Sequence, residues 1–256
     1  MGGSEIDFSK KKVFLFDLDD TLINTTEANE IGLRRAYKKL SAECHDDISK
    51  KLPKKEFIKD LISIYNTRKD EHGEEFFDFD AEVFEIYCKE NLPQKALRLN
   101  HMGHSLAARL FWNFRHAKNN SLMPHPHAFN ILNKLINSGI TILCVTQGKC
   151  NYQHTKAMIT DIESRTQAVL VTKDKKSELT KHISLRKIPP SDAVMIGDKE
   201  TDILAGENAN INTVLIKKDD SKLSMGCTPS ITLSNLGELL ELIPELKMDK
   251  HGGTQD

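Results

Sequence analysis

The amino-acid sequence predicts an α/β protein in which a doubly wound parallel sheet carries an inserted all-helical domain. From residue 123 onward, short apolar runs alternate with helical segments, a pattern typical of parallel sheets. One further apolar run begins at residue 13, and residues 25–122, which separate it from the later group, have helical patterns throughout. We therefore predict a discontinuous α/β core, residues 1–24 and 123–256, and a helical domain, residues 25–122.

The first strand of the core is predicted at Val13–Phe16, four consecutive apolar residues without a polar break. Such a run indicates a strand that is buried on both faces in the middle of a parallel sheet. Two carboxylates follow it, Asp17 and Asp19, and they point to the same side because strand side chains alternate. Burial of two such charges is costly unless a cation or hydrogen-bond donors meet them, so we interpret the pair as part of a site.

Four amphipathic segments make up the predicted helical domain. Two of them are helices over Glu27–Leu40 and Asp80–Asn91, with Asp80 as the N-cap of the second. The other two are identified by apolar residues three and four apart, in stripes that begin at Phe57 and Leu106. No convincing strand pattern occurs between residues 25 and 122, so this part is predicted to be all helical.

The second part of the core opens with a predicted helix over Ala128–Asn137, which Gly139 closes. Five apolar runs follow, and we predict strands at Ile140–Val145, Val169–Thr172, Ala193–Ile196, Asn212–Ile216 and Ser230–Leu233. The strand at Val13–Phe16 must pair with this group, because a lone strand ahead of a helical domain has no other partner. Ligands of doubly wound sheets bind beyond the carboxyl ends of the strands, where we expect the reactive residues.

Composition argues against several classes of function. The net charge is −1, from 36 basic and 37 acidic residues, so we expect no nucleic-acid partner. No apolar stretch approaches the roughly 20 residues of a membrane span, so we expect no membrane partner. Five scattered cysteines without a Cys-x-x-Cys pair indicate reduced thiols in a cytoplasmic protein rather than a disulfide framework or a zinc site.

Three later strand ends also carry reactive side chains. One strand ends in Thr146-Gln147-Gly148, where a hydroxyl precedes a glycine turn whose amide groups can face an anion. The next is followed by a lysine cluster that contains Lys173, Lys175 and Lys176. A third is followed by Gly197-Asp198 and then by Asp202, which lies near Asp198 if the residues between them begin a helix.

In this order the motifs resemble the four motifs of the haloacid dehalogenase-like superfamily. The first is Asp-x-Asp-x-Thr at Asp17–Thr21, and the fourth is Gly-Asp-x-x-x-Asp at Gly197–Asp202. The resemblance covers roughly residues 12–24 and 123–235, and it implies a Rossmann-like core with an alpha-helical cap inserted after the first motif. Most members are magnesium-dependent phosphatases that act through an aspartyl-phosphate.

The resemblance implies roles for the matched residues. Asp17 would be the nucleophile, and Asp19 would be the general acid and base, a dual role that burial near another carboxylate could support. Mg²⁺ would be held by oxygen ligands, which are Asp17, Asp198, Asp202 and the main-chain carbonyl of Asp19. The motifs contain no His or Cys, which argues against zinc.

The phosphoryl oxygens would be held by residues of the second and third motifs. These are Thr146, the backbone amides near Gln147 and Gly148, and one lysine that also pairs with the nucleophile. We favour Lys173 for that lysine because it precedes Asp198 by 25 residues, a separation that suits the family. Lys175 and Lys176 remain alternatives.

The leading interpretation is a magnesium-dependent phosphatase that hydrolyses a small phosphorylated metabolite, a phosphomonoester. A cap that closes over the site would exclude water, and also a folded protein substrate. A phosphomutase or a pyrophosphatase would use the same four motifs. A non-catalytic phospho-ligand-binding protein would be expected to lose Asp17, Asp19 or Asp198, all of which are present. Dehalogenases that resemble this fold do without an acid at the position of Asp19, because halide leaves unprotonated.

Overall fold

A computed structural model describes residues 6–44, 52–72, 79–93, 103–217 and 226–244 of the chain. The chain divides into two compact units. The first contains Met1–Asn24 and Met123–Asp256, and the second contains Thr25–Leu122. The two segments of the first unit are joined by hydrogen bonds at Asn24 and Met123. Asn24 N donates to Met123 O at 3.1 Å, and Met123 N donates to Asn24 Oδ1 at 2.7 Å.

The first unit is built on a six-stranded sheet in which every strand pair is parallel. Its strands are β1 (Val13–Phe16), β2 (Thr141–Gln147), β3 (Ala168–Thr172), β4 (Ala193–Gly197), β5 (Asn212–Ile216) and β6 (Ile231–Leu233). The order across the sheet is β3-β2-β1-β4-β5-β6, so β1 lies between β2 and β4. The predicted doubly wound parallel sheet, with β1 in its interior, is therefore confirmed.

Helices lie between the strands from β1 to β5, and one helix follows β6. The α-helices are α5 (Ala128–Asn137), α6 (Cys150–Ile159), α7 (Lys175–Leu185), α8 (Glu200–Asn208) and α9 (Leu236–Leu242). Single 3₁₀ turns occur at Phe8–Lys10, Glu163–Arg165 and Pro190–Asp192. From β1 to β5 the strands alternate with helices along the chain, which provides the long crossovers that parallel strands require.

The second unit is helical over its described residues. Its helices are α1 (Thr25–Glu43), α2 (Lys54–His72), α3 (Ala81–Asn91) and α4 (Leu106–Asn119). Asp80 caps α3 as predicted, because its side chain accepts a hydrogen bond from Glu82 N at 3.0 Å. The apolar stripes meet in one core, where the rings of Phe57 and Tyr87 lie edge to face with centroids 5.0 Å apart.

Burial of β1 explains why its short sequence is so apolar. Phe14, Leu15 and Phe16 are fully buried, and burial of each such side chain contributes about 1.5–3 kcal/mol. Leu15 lies opposite Leu143 of β2 and Met195 of β4, and all three belong to one core cluster with side chains of α7 and α8. The sheet thus fixes the position at which β1 ends, and so the position of Asp17.

Two further observations concern the chain as a whole. Among the described residues, no helix is both long enough and apolar enough to cross a membrane. All five cysteines lie in the described part, and each is a free thiol, with Cys150 exposed and the others buried.

Candidate active site

The end of β1 places Asp17 at the carboxyl edge of the sheet. Its main-chain N–H donates to Ile196 O of β4 at 2.8 Å, and the residue is 3% exposed. The chain then turns tightly, because Asp20 adopts the left-handed conformation at φ 65° and its N–H donates to Ile23 O at 2.8 Å. Aspartate tolerates that conformation better than most residues. The first motif is therefore a rigid loop directly after the strand.

Three carboxylates converge beyond the ends of β1 and β4. Asp17, Asp198 and Asp202 each offer an oxygen atom, and these atoms all lie within 4.8 Å of one another. Asp198 follows β4, the neighbour of β1, while Asp202 lies in the first turn of α8. Thr21 bridges the group, because its Oγ1 lies 3.2 Å from Asp198 Oδ1 and 3.5 Å from Asp17 Oδ2. The structure thus brings together the three side chains predicted to hold a metal ion.

Gly197 is required by the position of Asp202. A Cβ atom at residue 197 would lie 2.2 Å from Asp202 Oδ2, a distance that no side chain can adopt. The same Oδ2 atom accepts a hydrogen bond from Lys199 N at 3.1 Å, which ties Asp202 to the start of α8. The glycine of the fourth motif therefore makes room for its second aspartate.

Lys175 is the lysine that contacts the carboxylates. Its Nζ lies 2.6 Å from Asp17 Oδ1 and 2.5 Å from Asp202 Oδ1, and its side chain is only 5% exposed. Our preference for Lys173 as the partner of Asp17 is therefore wrong. Lys173 is exposed in the loop after β3, where its carbonyl accepts a hydrogen bond from Gln147 Nε2 at 2.6 Å.

The physical reason is the start of α7. Asp174 caps this helix, accepting hydrogen bonds from Lys176 N and Ser177 N, so Lys175 is its first residue. Lys175 also shares the buried face of α7 with Leu179 and Ile183, four and eight residues further on. That spacing was visible in the sequence and points to Lys175, because residues four apart lie on one face of a helix.

Burial shifts the pKa values of the charged groups in this cluster. Burial raises the pKa of the Asp17 carboxyl; Lys175 opposes this shift and Asp202 reinforces it. Burial also raises the pKa of Asp198, which Lys199 opposes. Desolvation lowers the pKa of Lys175, but the charges of Asp17 and Asp202 outweigh it and the net shift is upward.

The donor set fits a hard divalent cation. With all groups ionised, the three carboxylates outnumber the two ammonium groups beside them, Lys175 and Lys199, so the cluster keeps a net negative charge that a cation would reduce. The side chains offer oxygen atoms only, which Mg²⁺ prefers. Asp17, Asp198 and Asp202 are the side chains that would hold it.

Asp19 is held by a second lysine. Lys156 Nζ lies 2.9 Å and 3.0 Å from the two carboxylate oxygens of Asp19, and Gln153 Nε2 lies 3.1 Å from Oδ2. Both partners come from α6. The sequence suggested that burial near another carboxylate could support the dual role of Asp19, whereas these three hydrogen bonds come from an ammonium and an amide. The four motifs gave no indication of Lys156 or Gln153; the only signal was their spacing of three residues on a helix that follows the second motif.

The second motif differs in part from its predicted arrangement. Thr146 is 1% exposed, and its Oγ1 has no hydrogen-bond partner among the described residues. This hydroxyl is available as a donor, and its contact with a bound ligand stays a prediction. Gly148 N instead donates to Thr172 O at 3.2 Å. The prediction that this amide faces an anion is therefore wrong. A Cβ at Gly148 would lie 2.5 Å from Gln153 Nε2, so this glycine makes room for that amide.

Comparison with known proteins identifies a family model and similar solved structures. The model described as haloacid dehalogenase-like hydrolase matches residues 14–216. A search among curated proteins found no match.

Solved structures share the fold at low sequence identity. A phosphatase from Thermococcus onnurineus is 19% identical with a TM-score of 0.63, covering 93% of this chain and 100% of its own. The putative hydrolase YfnB from Bacillus subtilis, solved bound to magnesium, is 20% identical with a TM-score of 0.61, covering 91% and 98%. A 2-haloacid dehalogenase from Pseudomonas syringae pv. Tomato is 18% identical with a TM-score of 0.61, again covering 91% and 98%. At these identities the likeness establishes the fold alone.

Proposed function

The chain belongs to the haloacid dehalogenase-like hydrolase family, and from this premise we propose that it is a magnesium-dependent phosphatase acting through an aspartyl-phosphate on Asp17. The observation that carries the proposal is the cluster of the buried Asp17 and Asp202 and the half-buried Asp198, with Lys175 between Asp17 and Asp202. A group of carboxylates is costly to bury unless a cation compensates its charge.

Asp17 is suited to act as the nucleophile. One of its oxygens contacts Lys175 and the other faces Thr21, so the carboxylate is held in a fixed orientation. A phosphate dianion repels a carboxylate, and Mg²⁺ bound at the cluster supplies the charge compensation that brings the two together. The near-complete burial of Asp17 keeps bulk water from competing with phosphoryl transfer.

Two side chains are suited to hold the phosphoryl oxygens. The Thr146 hydroxyl is a buried donor at the end of β2, next to β1 in the sheet. Lys175 already contacts Asp17, so its ammonium can stabilise the negative charge that shifts from the carboxylate to the phosphoryl group during transfer. Preorganised donors of this kind typically contribute about 10²–10³ each to the rate.

Asp19 is suited to the proton transfers. In the first step an Asp17 oxygen bonds to phosphorus while the bond to the leaving oxygen breaks, and Asp19 gives that oxygen its proton. In the second step a water oxygen bonds to phosphorus, its proton passes to Asp19, and the bond between Asp17 and phosphorus breaks to release phosphate. General acid–base catalysis contributes about 10²–10⁴ in such steps.

Asp19 also favours phosphoryl transfer over dehalogenation. A halide leaves without a proton, so a dehalogenase has no use for an acid at this position. A phosphate ester of an alcohol releases an alkoxide, which needs one. The similar structures include proteins named as phosphatases and proteins named as dehalogenases, so the fold alone does not distinguish the two activities.

The proposed substrate class is a small phosphorylated metabolite. This proposal rests on the inserted helical unit, residues 25–122. By the family resemblance, this unit would be a cap that restricts the size of the substrate. We further propose a cytoplasmic location, which the five free thiols support, and no nucleic-acid partner, which the net charge of −1 supports.

We expect the purified protein to hydrolyse p-nitrophenyl phosphate only in the presence of Mg²⁺. Chelation should abolish turnover and added Mg²⁺ should restore it, because the uncompensated cluster repels the substrate dianion. Beryllofluoride, which mimics a phosphoryl group on a carboxylate, should inhibit. Turnover that continues unchanged in chelator would contradict the proposal.

A panel of phosphorylated metabolites distinguishes the phosphatase from the alternative enzymes. Released phosphate indicates a phosphatase and isomerised product indicates a phosphomutase, while inorganic pyrophosphate in the same panel tests for a pyrophosphatase.

Mg²⁺ binding should also be visible without turnover. A ligand that binds only the folded state raises the midpoint of thermal unfolding, and at about 100 times its dissociation constant it adds about 2.7 kcal/mol. We expect Mg²⁺ to raise the midpoint and the Asp198→Asn variant to lose most of this rise. An equal rise in the variant would place the ion elsewhere.

A further inference from the structure

Helix α6 has an unusual distribution of polarity. Its buried residues are Gln153, Lys156 and Ala157, whereas Met158 is 62% exposed and Ile159 is 44% exposed. A helix that packs for stability buries its apolar face and exposes its polar one. Departures from this rule are expected where a function requires the residue, so the buried polar pair calls for a functional explanation.

Burial of these two side chains carries a cost in stability. Lys156 is 5% exposed and Gln153 is 2% exposed. A buried ammonium is tolerated only when it is paired, and Lys156 meets this condition through Asp19. Gln153 Oε1 is also buried and has no hydrogen-bond partner among the described residues, which lowers stability rather than raising it.

The contacts of the pair converge on one carboxylate. Lys156 Nζ contacts both oxygens of Asp19, and Gln153 Nε2 contacts one of them. Gln153 Nε2 also donates to Gln147 O at 2.8 Å, which anchors its amide to the end of β2. The absence of a Cβ at Gly148 leaves space for this amide. The second motif, α6 and Asp19 therefore form one connected arrangement.

We infer that Lys156 and Gln153 are positioning residues that hold the Asp19 carboxylate in place for the activation of water in the second half-reaction. This inference rests on the proposed function, in which Asp19 takes the proton of the attacking water. Three hydrogen bonds from one helix restrict the side-chain rotations of Asp19, and proton abstraction requires a base within about 2.6–3.2 Å of the water oxygen. Without these bonds the carboxylate spends much of its time in other rotamers.

The inference predicts a specific kinetic signature with p-nitrophenyl phosphate. Its leaving group departs as a stable anion and needs no proton, so formation of the aspartyl-phosphate does not depend on Asp19. The quantity kcat/KM reports the steps up to the first irreversible one, whereas kcat also includes hydrolysis of the intermediate. Loss of positioning should therefore lower kcat and leave kcat/KM nearly unchanged.

The test compares Lys156→Met with wild type by rapid mixing and steady-state kinetics. Methionine has a similar length and carries no charge. We expect kcat to fall about 10- to 100-fold, a part of the usual contribution of general acid–base catalysis, with kcat/KM within about 3-fold of wild type. A burst of p-nitrophenolate of up to one equivalent should appear before slow turnover. Lys181→Met, which removes an exposed lysine of α7, is the matched control and should behave as wild type.

Gln153→Met provides a second variant in case Lys156→Met does not fold. It removes one of the three hydrogen bonds to Asp19 and should show the same split with a smaller fall in kcat, about 3- to 10-fold. Unchanged kcat in the folded variants, or equal falls in kcat and kcat/KM, would overturn the inference. Absence of hydrolysis by wild-type protein would instead contradict the proposed function, so the two failures are distinguishable.

Discussion

Replacement of Asp17 with asparagine is expected to lower phosphatase activity by about 10⁴-fold or more while leaving the fold intact. An amide cannot form the covalent phosphoryl intermediate, and removal of a nucleophile typically abolishes nearly all turnover. The substitution keeps the shape of the side chain at a position that is 3% exposed, so the packing of β1 is preserved. Released phosphate in saturating Mg²⁺ is the measurement.

The stability of the Asp17→Asn variant gives an independent readout. Burial raises the pKa of Asp17, which means that its ionised form is unfavourable in the folded protein without a cation. We therefore expect the midpoint of thermal unfolding in chelator to be unchanged or higher, and its rise on addition of Mg²⁺ to be smaller than in wild type. Asp20→Asn is the matched control, because asparagine also tolerates the left-handed conformation at φ 65°. It should stay within about 3-fold of wild-type activity, as expected for a change outside the reacting groups.

Replacement of Lys175 with methionine is expected to affect both activity and stability. Loss of one preorganised charge donor typically lowers the rate about 10²–10³-fold. Removal of one partner from a buried ion pair typically lowers the free energy of unfolding by about 3–5 kcal/mol, because the remaining charges stay buried. Asp17 and Asp202 would be left without the ammonium that lies 2.6 Å and 2.5 Å from them. Mg²⁺ should restore part of the lost stability, because its positive charge partly replaces the charge of the missing ammonium.

Lys173→Met is the matched control for this variant. It removes a lysine two residues earlier in the chain, in the exposed loop after β3. We expect activity and the free energy of unfolding to stay close to wild-type values, because surface substitutions usually change stability by about 0.5 kcal/mol or less. A larger loss of activity in Lys173→Met than in Lys175→Met would show that the lysine of the third motif has been misassigned.

The architecture was predictable because its main signals are local and regular. Four apolar residues at Val13–Phe16 predicted a buried central strand, and the later alternation of strands and helices predicted the parallel sheet that β1 joins. The strand pattern predicted that reactive residues lie at the carboxyl edge of the sheet, and the family resemblance implied that Asp17 and Asp198 converge there. The predicted bounds of β1 and β5 match the observed ones, and the ends of the other strands differ by at most two residues.

The site details that were missed depend on contacts between distant residues. The sequence spacing favoured Lys173, whereas the choice is made by the position of the Asp174 cap and by the face of α7 that carries Lys175. The ion pair between Lys156 and Asp19 joins residues 137 positions apart and belongs to no motif. The amide of Gly148 was expected to face an anion, but the pairing of β2 with β3 directs it to Thr172. Sequence patterns predict which strand ends meet, but not the rotamers and hydrogen bonds that complete the site.

The central claim is that Asp17 takes up the phosphoryl group, and trapping of that intermediate tests it most directly. Wild-type protein is mixed with substrate and Mg²⁺, quenched within the first turnover, reduced with borohydride and mapped by peptide mass spectrometry. Borohydride converts a phosphorylated aspartate to homoserine. We expect homoserine at position 17 in the peptide that contains Val13–Phe16, and no such change when Mg²⁺ is withheld. A phosphoryl group trapped on any other residue, or turnover with Asp17 left unmodified, would contradict the account.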